Sequence, residues 1–121
     1  MRDRAELIRR IEKSLKFWGT HDLADLKEEI DTGRVRVFMG GHGVWMAQVC
    51  KHPRKRLLNV SLLAGELPGV MAIQKQVEDF AVQEKCDLIV APHVRLGLKD
   101  VFKKTGWQVK GYNMSLPLRG D

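Results

Sequence analysis

The stretch Leu57-Leu58-Asn59-Val60-Ser61-Leu62-Leu63-Ala64-Gly65-Glu66-Leu67-Pro68-Gly69 decides the fold. Leu57 to Leu63 is an almost wholly apolar run of strand length, as expected of a strand central to its sheet. Ala64 to Gly69 breaks the run, and Pro68 suits the first turn of a helix, where its missing N–H has no partner in any case. Val70, Ile73, Val77, Phe80 and Ala81 then recur at helical spacing to about Lys85. Asp87 to Ala91 is a short apolar strand stopped by Pro92. Strand, helix and strand in this order predict a right-handed crossover joining two parallel strands.

Upstream, Val35, Val37 and Met39 alternate with Arg34, Arg36 and Phe38, which predicts a strand with one face on the core. Gly40-Gly41-His42-Gly43 is a turn signal, so Val44 to Lys51 reads as the returning strand of a hairpin. Pro53-Arg54-Lys55-Arg56 makes a charged second turn. Two helices precede these strands. The first runs from about Arg2 to Phe17, with Leu7, Ile8, Ile11, Leu15 and Trp18 at helical spacing. The second, Asp22 to Asp31, carries Leu23, Leu26 and Ile30; Thr20 or Asp22 can cap its start, and Gly33 follows its end.

Downstream, a helix from about Leu96 to Lys104 places Leu98, Val101 and Phe102 on one face and stops at Gly106. Trp107 to Leu116 then alternates as a final strand, with a phase change at Gly111 that a bulge would accommodate. The predicted order is α α β β β α β α β, an α+β fold around a mixed central sheet flanked by helices. The expected organisation is one domain, 1–121: two N-terminal helices in 1–33, antiparallel strands in 34–63, and helix, strand, helix and strand in 64–116.

At 121 residues and 13.8 kDa the chain has the size of one domain with one real core. Its 44% hydrophobic and 30% charged residues exclude a disordered tail, and no apolar run reaches the length of a bilayer span. The charged N-terminus has no signal-peptide core, so the expected compartment is the cytoplasm. Cys50 and Cys86 are too few for a disulfide scaffold and are expected to be buried, reduced and inert. A net charge of +6 favours acidic partners. The candidate partner-binding cations are Arg9, Arg10, Lys13 and Lys16 on the first helix, Arg54, Lys55 and Arg56 at the second turn, and Lys103 and Lys104 before the last glycine.

Several chemistries lack their signatures. His21, His42, His52 and His93 show no metal-ligand spacing, so no metal site is expected. Ser61 lacks the glycines of a nucleophile elbow. Gly40-Gly41-His42-Gly43 lacks the Lys-Ser/Thr and helix of a phosphate loop. Helix-turn-helix, RNP-type and zinc patterns are missing too, leaving nucleic-acid binding to rest on charge alone.

The order of elements over about residues 20 to 116 resembles the GCN5-related N-acetyltransferase fold. Val101-Phe102-Lys103-Lys104-Thr105-Gly106-Trp107 is similar to the Tyr-x-Lys-x-Gly-Phe ending of that superfamily's last helix. A closer resemblance is to small tailed-phage proteins described as acetyltransferase-like, whose genes tend to lie beside those for head, portal and packaging proteins. It rests on Ile30-Asp31-Thr32-Gly33, Pro53-Arg54-Lys55-Arg56, Leu62-Leu63-Ala64-Gly65-Glu66-Leu67 and Val77-Glu78-Asp79-Phe80-Ala81. Lys85-Cys86, Arg95-Leu96-Gly97-Leu98 and Gly106-Trp107 continue it in order.

The superfamily resemblance implies that acetyl-CoA would be held by Leu63, Ala64, Gly65, Glu66, Leu67, Gly69 and Val70, between the central strand and the crossover helix. The superfamily spacing there is Arg or Gln, two residues, Gly, one residue, then Gly or Ala. Pro68 and Glu66 depart from it by removing a donor and adding a negative charge. Phe102 stands where the superfamily usually has a tyrosine acid, and Tyr112 is the only tyrosine; Glu66, or one of the four histidines through water, could serve as base, so Glu66 and Tyr112 are the catalytic candidates. A bulky side chain such as Met71 or Trp107 across the cleft would mark a filled cofactor site. The phage resemblance implies a virion-associated or assembly protein in the host cytoplasm or the virion, docking to a phage or host protein, with no cofactor required. The alternatives are an active acetyl-CoA-dependent N-acetyltransferase and a basic nucleic-acid-binding module.

Overall fold

The structure, a computed structural model, describes residues 4–18, 21–40, 42–92, 96–111 and 114–118. In chain order the elements are α1 (Arg4–Trp18), α2 (Leu23–Asp31), β1 (Arg36–Met39), β2 (Gly43–Lys51), β3 (Arg56–Gly65), α3 (Leu67–Gln83), β4 (Leu88–Val90) and α4 (Leu96–Lys103). The strands form one sheet in the order β1-β2-β3-β4. β1, β2 and β3 pair antiparallel, whereas β3 and β4 pair parallel from Leu57↔Leu88 to Asn59↔Val90, as a crossover through α3 requires.

Helices cover both faces of the sheet. On one face Val70, Ile73, Val77 and Ala81 of α3 and Phe102 of α4 pack with Phe38, Trp45, Ala47, Leu58 and Val60. On the other, Ile11 of α1 and Leu26 of α2 pack with Val35, Val44, Met46, Leu62 and Ala64. β1 was expected to bury one face only; it contributes Phe38 to the first core, while Val37 packs against the second. Arg36 lies with its guanidinium 4.8 Å from the centre of the Phe80 ring, a cation–π contact.

β3 changes face partway along. Met46 pairs with Leu62 and Ala47 with Val60, so Ser61 is an extra residue on β3, a bulge. Before it, Leu58 and Val60 face α3; after it, Leu62 and Ala64 face α1, and Leu63 takes the α3 side. The Ser61 hydroxyl donates to the Met46 carbonyl at 3.3 Å.

Local chemistry fixes the helix ends. Asp22 and Asp25 form a reciprocal capping box at the start of α2, and the Asp25 backbone N–H holds the Asp22 carboxyl below its ordinary pKa. α2, α3 and α4 close with the same two-bond motif, in which a left-handed residue turns the chain back on the last carbonyls. That residue is Gly33 after α2 (φ 79°) and Gly106 after α4 (φ 101°), but Lys85 after α3 (φ 59°). Lys85 N–H donates to Val82 and Cys86 N–H to Ala81, which aims the chain into β4.

Two sequence expectations are corrected. Among the described residues of 107–118 no strand forms. β4 offers a ladder of only three residues before Pro92, and Gly111 and Pro117 weaken any pairing of the segment that follows α4. Cys50 and Cys86 are free but half-buried rather than buried. Burial pushes the Cys86 thiol above its ordinary pKa, against the pull of Arg56, so its thiolate is scarce at neutral pH.

Lys85 supplies a test of these end motifs. Replacing a non-glycine residue in the left-handed region with glycine relieves its steric cost. Lys85→Gly should raise unfolding stability by about 0.5–1 kcal/mol in urea titration, with the slope m unchanged.

Candidate functional site

β3 is paired with β2 along its whole length but with β4 only as far as Asn59. The β4-facing edge of residues 60–65 therefore has no strand partner among the described residues. This released edge leads into the first turn of α3, whose N–H groups lack intrahelical acceptors. An open strand edge meets a helix N-terminus here, and the cofactor-binding residues inferred by resemblance lie at this junction.

The junction is also packed against the β1–β2 hairpin turn. Gly43 pairs with Gly65 across the sheet. A side chain on Gly43 would meet the Gly69 carbonyl carbon and the Val70 nitrogen, both at 2.8 Å. A side chain on Gly69 would meet the His42 carbonyl carbon at 2.6 Å, and one on Gly65 would fall on the His42 carbonyl oxygen. Gly65 has φ 122°, which side-chain-bearing residues rarely adopt. Three backbone segments thus touch through glycine, and the His42 carbonyl accepts the Glu66 N–H at 2.9 Å.

The side chains around the junction come from four elements. Arg10 of α1 donates to the Gly65 carbonyl at 3.2 Å and to Glu6 at 3.1 Å. Glu66 is exposed, its carboxylate 3.8 Å from Nδ1 of His42. Leu67 is exposed, whereas Val70 is buried and its carbonyl accepts Nε1 of the fully buried Trp45 at 2.8 Å. Leu63 and Met71 pack against the α3-side core. Trp107 does the same, its ring 5.3 Å from Phe102 and 6.3 Å from Trp45.

With α3 starting at Leu67, the superfamily spacing Arg/Gln-x-x-Gly-x-Gly/Ala falls on Glu66-Leu67-Pro68-Gly69-Val70-Met71. Glu66 and Met71 depart at two of its three specified positions. Pro68 supplies no N–H, and the Glu66 N–H is taken by His42. These residues do not fit the donor set a diphosphate needs at a helix N-terminus. Phe102, which the sequence resemblance sets against the superfamily's tyrosine, is only 2% exposed and carries no proton to give. Tyr112 lies outside the described residues.

Two of the basic groups lie far apart. Arg10 sits at the Gly65 end of β3, while Arg54 and Lys55 stand at its Arg56 end, about 30 Å away at strand rise. Arg56 is engaged structurally: its Nε donates to the Glu84 carbonyl, and its backbone N–H to the Asp87 carboxylate, both at 2.8 Å. Arg9 is paired with Glu6. Lys13, Arg54, Lys55, Lys103 and Lys104 are exposed. Among the described residues no group of three His, Cys, Asp or Glu side chains converges as a metal site would require, and no helix is long and apolar enough to cross a membrane.

No family model and no curated protein matches the chain. Solved structures do. A probable acetyltransferase superposes with a TM-score of 0.72 at 10% identity, covering 96% of this chain and 92% of its own. An acetyltransferase of Trypanosoma brucei gives a TM-score of 0.65 at 13% identity, covering 96% and 95%. An aminoglycoside acetyltransferase from an uncultured soil metagenomic sample gives 0.66 at 15% identity, covering 93% and 87%. At these identities the likeness establishes the fold. The chain has the acetyltransferase-like α+β fold that the sequence resemblance implied.

Sequence reasoning read the two glycine clusters as separate turns and missed that they meet. The available signal was glycine on both sides, at Gly43 and at Gly65 and Gly69, but their pairing is a long-range contact. Gly65→Ala should destabilise the fold by about 3 kcal/mol, through backbone strain and collision with His42. Gly33→Ala, also at positive φ but in open space, should cost about 1 kcal/mol. Equal effects in urea titration would show that the junction is not tightly packed.

Proposed function

We propose that this chain uses the acetyltransferase fold as a scaffold for docking to another protein, without efficient acyl transfer. The observation that carries this reading is the β3–α3 junction. Its Glu66 N–H is bonded to the hairpin turn, Pro68 removes a second donor, and the exposed Glu66 carboxylate adds negative charge at the helix start. The buried Phe102 at the acid position supports it. The resemblance to tailed-phage proteins gives the partner its class, a phage structural or host protein met during particle assembly. Exposed Arg54 and Lys55, adjacent at one end of β3, supply cations for a local acidic patch on a partner.

One observation favours a second reading, an acetyl-CoA-dependent N-acetyltransferase. The β3 edge released after Asn59 runs into the α3 N-terminus, a place where an extended amide-bearing chain can hydrogen-bond as a strand would. Leu63 to Gly65, Leu67, Gly69 and Val70 would then hold the ligand. Nucleic-acid binding gains nothing comparable, since Arg10 and the Arg54–Lys55 pair occupy opposite ends of β3.

Calorimetric titration with acetyl-CoA separates the two. The docking reading expects no saturable heat up to about 1 mM ligand, meaning binding weaker than about 4 kcal/mol. Glu66→Arg removes the carboxylate but leaves Pro68 and the bond from the residue-66 N–H to the His42 carbonyl, so on this reading it too gives no saturable heat. Saturable binding to the unaltered chain would stabilise it by about 2.7 kcal/mol at a hundredfold excess over Kd and raise Tm by several degrees. That result, together with transfer of labelled acetyl to protein, would overturn the proposal. Its partner arm fails if the chain is missing from both particles and assembly intermediates.

A further inference from the structure

The end of the sheet far from the β3–α3 junction is built around Arg56. Its backbone N–H donates to the Asp87 carboxylate at 2.8 Å, and its carbonyl accepts the Asp87 N–H at 2.7 Å. Its Nε donates to the Glu84 carbonyl at 2.8 Å, and its Nη2 lies 3.8 Å from the Glu84 carboxylate. These bonds clamp the β2–β3 turn to the corner where α3 hands the chain to β4. The turn itself is closed by the His52 N–H on the Lys55 carbonyl, at 2.8 Å.

Residues 51–56 and 84–87 hold five cations and two carboxylates. Both carboxylates are turned on Arg56, one toward its guanidinium and one toward its backbone. Lys51, Arg54, Lys55 and Lys85 are exposed around them. Lys85 is fixed at φ 59° by the end motif of α3. The four cations thus stand on backbone held by hydrogen bonds, and less order is lost when a partner engages them.

Such a corner attracts anions. Two features favour a protein over a nucleic acid. Val82, one turn before Lys85, is 76% exposed, the most of any large apolar side chain in the described helices and strands. It sets an apolar contact beside the cations, for which a phosphate backbone has no counterpart. Residues 51–56 and 82–87 also contain no Phe, Tyr or Trp ring on which a base could stack.

We infer that this corner docks an acidic segment of a partner protein in which Asp and Glu are interspersed with aliphatic residues. The carboxylates meet Lys51, Arg54, Lys55 and Lys85, and an aliphatic side chain covers Val82. The inference rests on the docking reading above for there being a partner, and it adds the partner's chemistry and the surface that reads it.

Fluorescence anisotropy of the full chain with a labelled peptide of four Asp-Glu-Leu repeats, about 40 Å long when extended, tests this. Binding should saturate in the micromolar range at about 50 mM salt and weaken about tenfold by about 300 mM. The Arg54→Glu, Lys55→Glu variant should bind about tenfold more weakly with an unchanged circular dichroism spectrum, since both side chains are exposed. Val82→Ser should weaken binding about threefold, yet leave unchanged the binding of a matching peptide with Ser in place of Leu. No saturable binding at low salt overturns the inference, as does binding that survives the charge reversal. It is also overturned if Val82→Ser acts equally on both peptides or on neither. An oligothymidylate of equal charge that binds as tightly as the peptide would overturn it in favour of nucleic acid. Acetyl-CoA titration reads the other end of β3, so the two readings fail separately. Saturable acetyl-CoA binding would remove the docking reading and leave this surface standing, whereas loss of peptide binding would do the reverse.

Discussion

Because Ser61 has no opposite residue in the β2 ladder, the strand that would otherwise show one face to one set of helices shows each half to a different set. Without the extra residue, Leu58, Val60, Leu62 and Ala64 would all point to the same side by strand parity. With it, the first two close the core under α3 and the last two close the core under α1. The same place ends the pairing with β4, which reaches only Asn59. A bulge bends and twists its strand, so one inserted residue accounts for two buried cores and for the parting of β3 from β4. The open edge at the candidate site is a consequence of how the cores are filled.

What the chain does with that edge is decided by its glycines. Glycine near a helix start can serve a ligand, by letting backbone N–H groups approach an anion, or can serve packing, by letting another backbone approach. Gly65 and Gly69 do the second: the His42 backbone occupies the space their missing side chains leave. Once the His42 carbonyl has taken the Glu66 N–H, the junction has fewer donors to offer and gains a fixed hairpin turn instead.

Much of this architecture was legible in the sequence because it is governed by local patterns. The stripe Val70, Ile73, Val77, Ala81 and the breaker Pro68 mark α3, and Asp22 and Gly33 bracket α2 by their own backbone chemistry. Long-range matters were less legible. Lys85 takes a conformation usually filled by glycine, and only the direction of the chain into β4 explains it. The bulge at Ser61 leaves no composition signal, since leucines stand on both sides of the phase change. The alternation from Trp107 to Leu116 predicts a strand, but alternation states only that a segment can be one, and pairing needs an edge. At the candidate site the departures Glu66, Pro68 and Phe102 were visible. The contact that joins His42 to Gly65 and Gly69 was not, since it links residues more than twenty positions apart.

Phe102 shows why those departures reinforce one another. Its ring lies between Trp45, at 6.0 Å, and Trp107, at 5.3 Å, in a nearly closed apolar setting. A tyrosine hydroxyl there would need a hydrogen-bond partner or cost about 1–3 kcal/mol by desolvation. Trp45 is held in turn by the Val70 carbonyl in the first turn of α3. Phe102 and the helix that begins at the loop are therefore joined in one packed aromatic unit. Restoring a proton donor at 102 would disturb the same turn whose glycine fits against His42. Position 102 and the first turn of α3 are thus tied through Trp45, and a polar side chain at the one works against the packing of the other.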